Sequence, residues 1–291
     1  MIKFKPLEIS DKELFDGYFN LTDYKNLEKN FSNIYIWRDY YEYEYDIIDG
    51  FLCIKGKFRE NNDYFCHVPY GEGDNSQVIS ILEEYFKNNG FQLILWPVLL
   101  EMEDSIKGFN FKEKRNCFDY IYTSEKLINL KGPKLRNKRR WVKKFKENYD
   151  YTYETITKSN IDDAKEFTIN LIKNSNNNKY EIKAMEEMFD NFFTLKIKGC
   201  IIKVDGKIAG VSTGEELTKD TIIIHCERCN RSYEGIYNVI NQEFVKNQWS
   251  DYKYINREQD LGIKGLRQSK LTYRPDILLK KSTGKINDQV Y

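Results

Sequence analysis

Thr221-Ile-Ile-Ile-His-Cys-Glu-Arg-Cys229 is the stretch on which the reading of this chain turns. Its first four residues are apolar or β-branched without alternation, as in a strand covered on both faces, and its polar side chains collect at the C-terminal end. Tyr233 to Trp249 follows with Ile236, Val239, Ile240, Phe244 and Val245 at helical spacing, and Tyr252 to Arg257 reads as a last core strand. That strand delivers Asn256 to Pro275, a segment that opens into a short helix. In it Arg257, Lys264, Arg267, Lys270 and Arg274 alternate with Glu258 and Asp260, and Gly262 and Gly265 remove side chains where a ligand or another backbone would approach. Two readings of the segment stand: a wall of a binding cleft, or a charged strand-to-helix corner.

Upstream of the buried strand, Ile161 to Asn174 and Glu181 to Lys196 carry helical periodicity around the polar loop Lys173 to Asn178. Cys200 to Val204, the turn Asp205-Gly206 and Lys207 to Gly214 make a hairpin. The N-terminal part begins with a Ser10-x-x-Glu13 capping pattern ahead of Leu14, Phe15, Tyr18 and Phe19. A second amphipathic piece spans Leu27 to Arg38, Tyr40 to Tyr45 alternates as a half-exposed strand, and Asp49-Gly50 turns into the strand Phe51 to Lys55. Asp63 to Val68 is a strand, Ser76 to Asn89 a helix closed by Gly90, Phe91 to Trp96 a strand stopped by Pro97, and Asp119 to Thr123 one more. This is the grammar of mixed α/β layers. At 291 residues two domains are expected, drawn at 1–130 and 151–291 with a basic linking helix at 131–150.

Between the halves, Lys131 to Lys146 holds nine basic residues and no acidic one. Leu135, Val142, Phe145 and Tyr149 keep an apolar stripe, so the segment reads as a docked helix. Its outer side is either a seat for phosphates of RNA, lipid headgroups or a nucleotide, or a solvated face. In the first reading Lys134, Arg136, Lys138, Arg139, Arg140 and Lys143 make the contacts and Trp141 is available for stacking. The net charge of the whole chain is only +1, which excludes a general polyanion coat, so any basic site must be local. No apolar run approaches the ~20 residues of a membrane helix and no secretory pattern follows Met1, from which a cytoplasmic location is expected. Six scattered cysteines fit reduced thiols. Cys226-x-x-Cys229 beside His225 has the outline of a zinc or redox motif. A zinc site needs two further ligands and the only other histidine is His67, so buried strand cysteines and no metal are expected.

From Tyr151 to Lys280 the order helix, helix, hairpin, buried strand, helix, strand, short helix resembles the GNAT acyltransferase fold. The resemblance implies that Thr221 to Cys229 is splayed from its neighbour and that the acyl donor enters the gap. CoA-dependent members seat the donor's pyrophosphate on a Gln/Arg-x-x-Gly-x-Gly/Ala turn at the next helix. Asn230-Arg-Ser-Tyr-Glu-Gly-Ile236 keeps only Gly235 of that pattern, which points away from acetyl-CoA.

A combination of segments is more specific. Lys131-Gly-Pro-Lys-Leu-Arg-Asn-Lys-Arg-Arg140 with Phe145, Asp205-Gly-Lys-Ile-Ala-Gly210, Tyr233-Glu-Gly-Ile-Tyr237 with Asn241-Gln-Glu-Phe244, and Asn256-Arg-Glu-Gln-Asp-Leu-Gly262 together resemble the family of phosphatidylglycerol lysyltransferase C-terminal domains, over nearly the whole chain. The resemblance implies two tandem GNAT-like α/β halves with mixed sheets, packed around a shared cleft. It implies transfer of an aminoacyl group from charged tRNA to an amine or hydroxyl of a lipid or small-molecule acceptor, with no tightly bound cofactor. The alternatives are an acyl-CoA-dependent N-acyltransferase and a GNAT-derived RNA- or ligand-binding module without catalysis.

Acyl transfer requires a nucleophile held at attack distance and donors aimed at the developing oxyanion. Glu227, at the strand end, is the candidate base with Tyr233 as candidate acid; Glu227 equally suits a salt bridge. Arg228 alternates to the opposite face of the strand. Arg228, Asn230, Asn256, Glu258, Asp260, Arg267, Lys270, Tyr273 and Arg274 are the candidate substrate-binding residues, the basic ones as anchors for donor phosphates or a charged end.

Overall fold

Residues 2–175 and 178–286 are described in a computed structural model, in which the chain forms two units. One comprises residues up to Phe118 and those from Leu279 onward, the other Asp119–Leu278. The first unit contains β1 (Lys5–Pro6), α1 (Lys12–Phe19), α2 (Phe31–Ile36), α3 (Arg38–Tyr41), β2 (Glu44–Ile48), β3 (Phe51–Lys57), β4 (Tyr64–Cys66), α4 (Ser76–Asn88), β5 (Ile94–Leu99) and β6 (Phe109–Glu113). The second contains β7 (Asp119–Thr123), α5 (Ser124–Asn129), α6 (Arg136–Asn148), β8 (Tyr151–Thr155), α7 (Ile161–Ser175), α8 (Lys179–Asp190), β9 (Lys198–Val204), β10 (Lys207–Thr218), β11 (Thr221–Cys229), α9 (Ile236–Gln248), β12 (Tyr254–Asn256) and α10 (Lys264–Thr272), followed by β13 (Ile277–Leu279). β14 (Lys281–Ile286) returns to the first sheet.

In the first unit the strand order is β1-β2-β3-β4-β5-β14-β6. Neighbours are antiparallel except β4 and β5, which run parallel and meet at a single pair, Cys66 with Leu95. Val78, Ile79, Leu82 and Phe86 of α4 cover this sheet, because they recur every three to four residues on one side of the helix. In the second unit the order is β13-β7-β12-β11-β10-β9-β8, and β11 and β12 run parallel, Thr221–Ile223 against Tyr254–Asn256. Tyr120, Tyr122, Ile222, Ile224 and Ile255 from the strands pack with Val142 and Phe145 of α6 and Ile236, Val239, Ile240 and Phe244 of α9. Among the described residues no helix is long and apolar enough to cross a membrane.

Several elements differ from the expectations, each for a local reason. Tyr40 and Tyr41 close the helix α3 instead of opening a strand, and the strand begins at Glu44 after Glu42 takes a left-handed backbone with φ of 51°. Pro97 does not stop its strand, and β5 continues to Leu99. Val98 pairs with Ser282 and Leu95 with Gly284, so the proline, which has no N–H to give, sits where the ladder is interrupted by a bulge. The Ser10-x-x-Glu13 box is not formed at α1; a capping box made by Glu8 and Asp11 closes the 3-10 turn Ile9–Asp11 just before it. The helix expected to reach Lys196 ends at Asp190. The polar loop expected at 173–178 includes residues 176 and 177, which lie outside the described residues. The boundaries drawn at 130 and 150 differ from those of the two units: β7 enters the second sheet, α6 belongs to the second unit, and β14 inserts between β5 and β6.

Candidate functional site

β11 and β12 pair only as far as Ile223 and Asn256, where β12 ends. Just beyond, Gly214 of β10 pairs with Ile224 and Thr213 with Cys226, so His225 is one extra residue, a β-bulge. An extra residue reverses the alternation of all that follow. Ile222 and Ile224 share a core with α9 before the bulge; after it, Glu227 and Cys229 turn to that side. Arg228 goes to the other face, where it pairs with Glu181 of α8, so Glu227 and Arg228 do not share a site.

Both oxygens of Glu227 are engaged. Its Oε2 accepts from Arg257 Nε at 3.2 Å and from Arg257 Nη2, and its Oε1 accepts from Asn241 Nδ2 at 3.0 Å. The Arg257 side chain is 9% exposed, and its guanidinium stands 4.9 Å from the ring centre of Tyr273 and 5.8 Å from that of Tyr122. Tyr233 packs its ring edge-on against Tyr149 at 5.3 Å, and among the described residues no hydrogen bond joins it to Glu227. Asn230 is spent on its own turn, accepting from Ser232 N at 3.0 Å and Ser232 Oγ at 2.8 Å.

The bulge residue lies between two carboxylates: His225 Nε2 is 2.8 Å from Glu215 Oε1 and Nδ1 is 3.0 Å from Glu258 Oε1. Burial opposes charging this imidazole, but the two carboxylates more than reverse that and raise it to about 9. The loop after β12 is a hydrogen-bonded frame. Asn256 accepts from Glu258 N at 2.7 Å and donates to Asp119 Oδ2 at 3.2 Å. Asp260 accepts four donors: Tyr120 Oη at 2.6 Å, and Arg267 Nε, Arg267 Nη2 and Gly262 N each at 2.8 Å. Lys270 donates to the carbonyls of Arg257 and Gln259, both at 2.5 Å, and burial lowers its ammonium to about 8. Tyr273 is buried, and Arg274 contributes its carbonyl to Lys126 Nζ at 2.7 Å while its side chain is exposed. The sequence candidates Asn256, Glu258, Asp260, Arg267 and Lys270 thus hold one another in place. Of the residues that join them, Arg257 was noted by sequence only as one of the segment's basic groups, His225 only beside the C-x-x-C, Asn241 only within a family motif, and Glu215 not at all; an asparagine set between Ile240 and Phe244 on an apolar helix face was the available signal.

Over Lys131 to Lys146 the nine-charge surplus is partly offset by acids, two distant in sequence and one a helical turn away. Lys144 pairs with Glu234, Lys146 with Glu243 at 2.5 Å and Lys143 with Glu147 at 3.6 Å. Arg139 donates to the carbonyls of Leu130 and Gly132, bracing the turn before the helix. Lys138 points inward, its Nζ 4.1 Å from the ring centre of Tyr273, and burial together with the charge of Arg257 lowers it to about 8. Lys134, Arg136 and Arg140 are exposed and make no ion pair among the described residues. The inner side of α6 lies on the start of α9. Gly235 has φ of 89°, and a Cβ there would stand 2.6 Å from the backbone oxygen of Trp141 and 3.3 Å from Phe145. This glycine therefore serves the packing of α6 on α9.

Residues 19–283 match the family described as phosphatidylglycerol lysyltransferase, C-terminal. Among solved structures, a conserved protein of unknown function from Bacteroides thetaiotaomicron is 31% identical, covers 99% of this chain and 100% of its own, and superposes with a TM-score of 0.92. The C-terminal domain of a putative lysylphosphatidylglycerol synthetase from Agrobacterium fabrum is 14% identical over 96% of this chain and 92% of its own, with a TM-score of 0.72. L-PGS from Bacillus licheniformis is 14% identical over 99% and 95%, with a TM-score of 0.70. No curated protein matches the sequence. The fold is a tandem GNAT-like arrangement of mixed α/β sheets.

Proposed function

This chain belongs to the family of phosphatidylglycerol lysyltransferase C-terminal domains, and on that premise we propose that it transfers an aminoacyl group from charged tRNA to an amine or hydroxyl of a lipid or small-molecule acceptor. The observation that carries the choice of donor is the seating of α6 on the start of α9. In CoA-dependent GNAT enzymes the first-turn amides of this helix bind the pyrophosphate. In this chain the Trp141 carbonyl and Phe145 stand against Gly235 at that place. The helix that fills it carries the exposed Arg136 and Arg140, with the exposed Lys134 in the turn just before it, a placement that suits a donor whose phosphates run along the surface.

In this reading the acceptor's nitrogen or oxygen attacks the ester carbonyl of the donor, the carbonyl–oxygen bond to the ribose breaks, and the ribose hydroxyl leaves with the acceptor's proton. The C-terminal end of β11 beyond its pairing with β12, where Glu227 stands, is the proposed place of reaction. A carboxylate engaged by Arg257 and Asn241 is better suited to orienting the nucleophile by accepting its hydrogen bond than to removing its proton outright. The test is transfer from tRNA carrying radiolabelled aminoacyl groups, supplied with separate lipid and small-molecule fractions of a cell extract. The expected result is label in one acceptor fraction, dependent on the protein. Label that stays on tRNA while labelled acetyl-CoA is consumed overturns the proposal.

A further inference from the structure

A groove of about 370 Å³ lies between the end of α5, one side of α6 and α9. Leu130 and Val142 give it apolar lining, and two of its polar side chains are fastened from behind. Arg139 gives Nη1 to the carbonyls of Leu130 and Gly132, the latter at 2.8 Å, and its Nε and Nη2 make no hydrogen bond among the described residues. Gln242 gives Nε2 to the carbonyl of Ile128 at 2.6 Å, which leaves its Oε1 unspent. Guanidinium and amide are thus tied to the backbone just after and just before Asn129, the exposed last residue of α5, which also lines the groove. Arg139, Val142 and Lys143 recur at three- and four-residue spacing, so they share one side of α6. Lys143 is exposed, with Glu147, the one acid among the lining residues, 3.6 Å away. None of these groups belongs to the frame around Glu227 and Asp260.

We propose that this groove seats one unstacked nucleotide of a single-stranded RNA, its base against Leu130 and Val142 and its phosphate toward Lys143. A splayed base has apolar faces and an edge that carries both donors and acceptors. The groove offers the complement: apolar side chains, a held acceptor in Gln242 Oε1, held donors in Arg139, and the Asn129 amide, which does both. Its volume is that of a small-ligand site. An acyl chain would need a longer apolar channel than two aliphatic side chains provide, and it would leave the amides unused. That the nucleotide belongs to a transfer RNA rests on the aminoacyl-tRNA reading; the nucleotide seat itself does not.

Equilibrium titration of the intact chain with a single-stranded RNA tetranucleotide, with the same sugar–phosphate backbone lacking bases, and with phosphatidylglycerol vesicles tests the seat without any transfer reaction. Basic residues elsewhere on α6 act on both backbones alike, so the difference between them reads the base alone. The RNA is expected to bind about tenfold more tightly than the baseless backbone, the size of one seated base. Gln242→Met, checked for folding by circular dichroism, and Asn129→Ala, at an exposed position, should each reduce that preference to about threefold or less. The exposed Lys87→Gln in the first unit should leave it unchanged. Equal binding of the two backbones, or a preference that survives both Gln242→Met and Asn129→Ala, overturns the seat. Vesicles that bind through Lys143 while RNA shows no base preference assign the groove to lipid and overturn it as well. A base preference lost in both variants of a protein that leaves charged tRNA untouched upholds the seat and refutes the donor reading. Aminoacyl transfer with an unchanged KM for charged tRNA in both variants does the reverse.

Discussion

Asp260→Asn is the substitution that most directly separates a hydrogen-bonded frame from a ligand wall. Asp260 is fully buried and receives two donors on each oxygen, Tyr120 and Arg267 on Oδ2, Gly262 and Arg267 on Oδ1. An asparagine keeps one oxygen and turns an NH2 group toward the other two donors. Two charge-assisted hydrogen bonds at about 1.5 kcal/mol each are lost, roughly 3 kcal/mol in all. For the second unit, about 160 residues, that corresponds to a fall of roughly 6–12 °C in its unfolding temperature. Scanning calorimetry reads it. Arg267→Met should cost a similar amount, and the double variant less than the sum, because both changes break the same ion pair and share one of its two Arg267 hydrogen bonds. A fall under about 2 °C, or strict additivity, would refute the reasoning. The pH dependence has a definite sign. Burial alone would raise this carboxyl, but Arg267, Tyr120 and the Gly262 amide hold it well below the usual range. Its contribution is present above the unfolded value near ~3.9 and is lost as pH falls toward the folded one.

Three further outcomes follow from the same geometry. Gly235→Ala places a Cβ 2.6 Å from a backbone oxygen at a φ of 89°, so it should destabilise the second unit by more than about 1 kcal/mol, measured by denaturant unfolding, whereas Gly265→Ala, with open space around it, should not. His225, raised to about 9, contributes stability that is full below the unfolded value near ~6.5 and disappears as pH rises through about 9; the stability gap between the parent and His225→Gln should narrow over that window in pH-dependent melts. Arg136→Glu with Arg140→Glu should weaken tRNA binding and flatten its dependence on salt in filter-binding titrations, with no loss of folding, since both are exposed and unpaired; an unchanged slope removes the outer face of α6 from the RNA path.

What the sequence disclosed follows from which forces are local. Thr221 to Cys229 was legible because a strand buried on both faces has a composition of its own, and the observed strand has those same bounds. The basic helix was legible from its apolar stripe, since Val142 and Phe145 are the residues α6 buries. Charges whose partners come from elsewhere in the fold were not. Glu227 and Arg257 lie thirty residues apart and meet because β11 and β12 run side by side in the sheet. Lys138 and Arg139 are adjacent in sequence with opposite fates, one turned into the protein over Tyr273 and the other bracing the turn at Leu130 and Gly132. The boundary between the units was hidden for a similar reason, because β7 and β14 find their places through pairing with strands far along the chain.

The central claim, that the donor is an aminoacyl-tRNA, is tested most directly by equilibrium binding of aminoacylated tRNA, the same tRNA deacylated, and acetyl-CoA to the intact chain at one fixed salt concentration. The account predicts that the charged form binds at least about tenfold more tightly than the uncharged form and that acetyl-CoA neither binds tightly nor competes. Tight binding of acetyl-CoA, or equal affinity for charged and uncharged tRNA with no aminoacyl transfer, would contradict it.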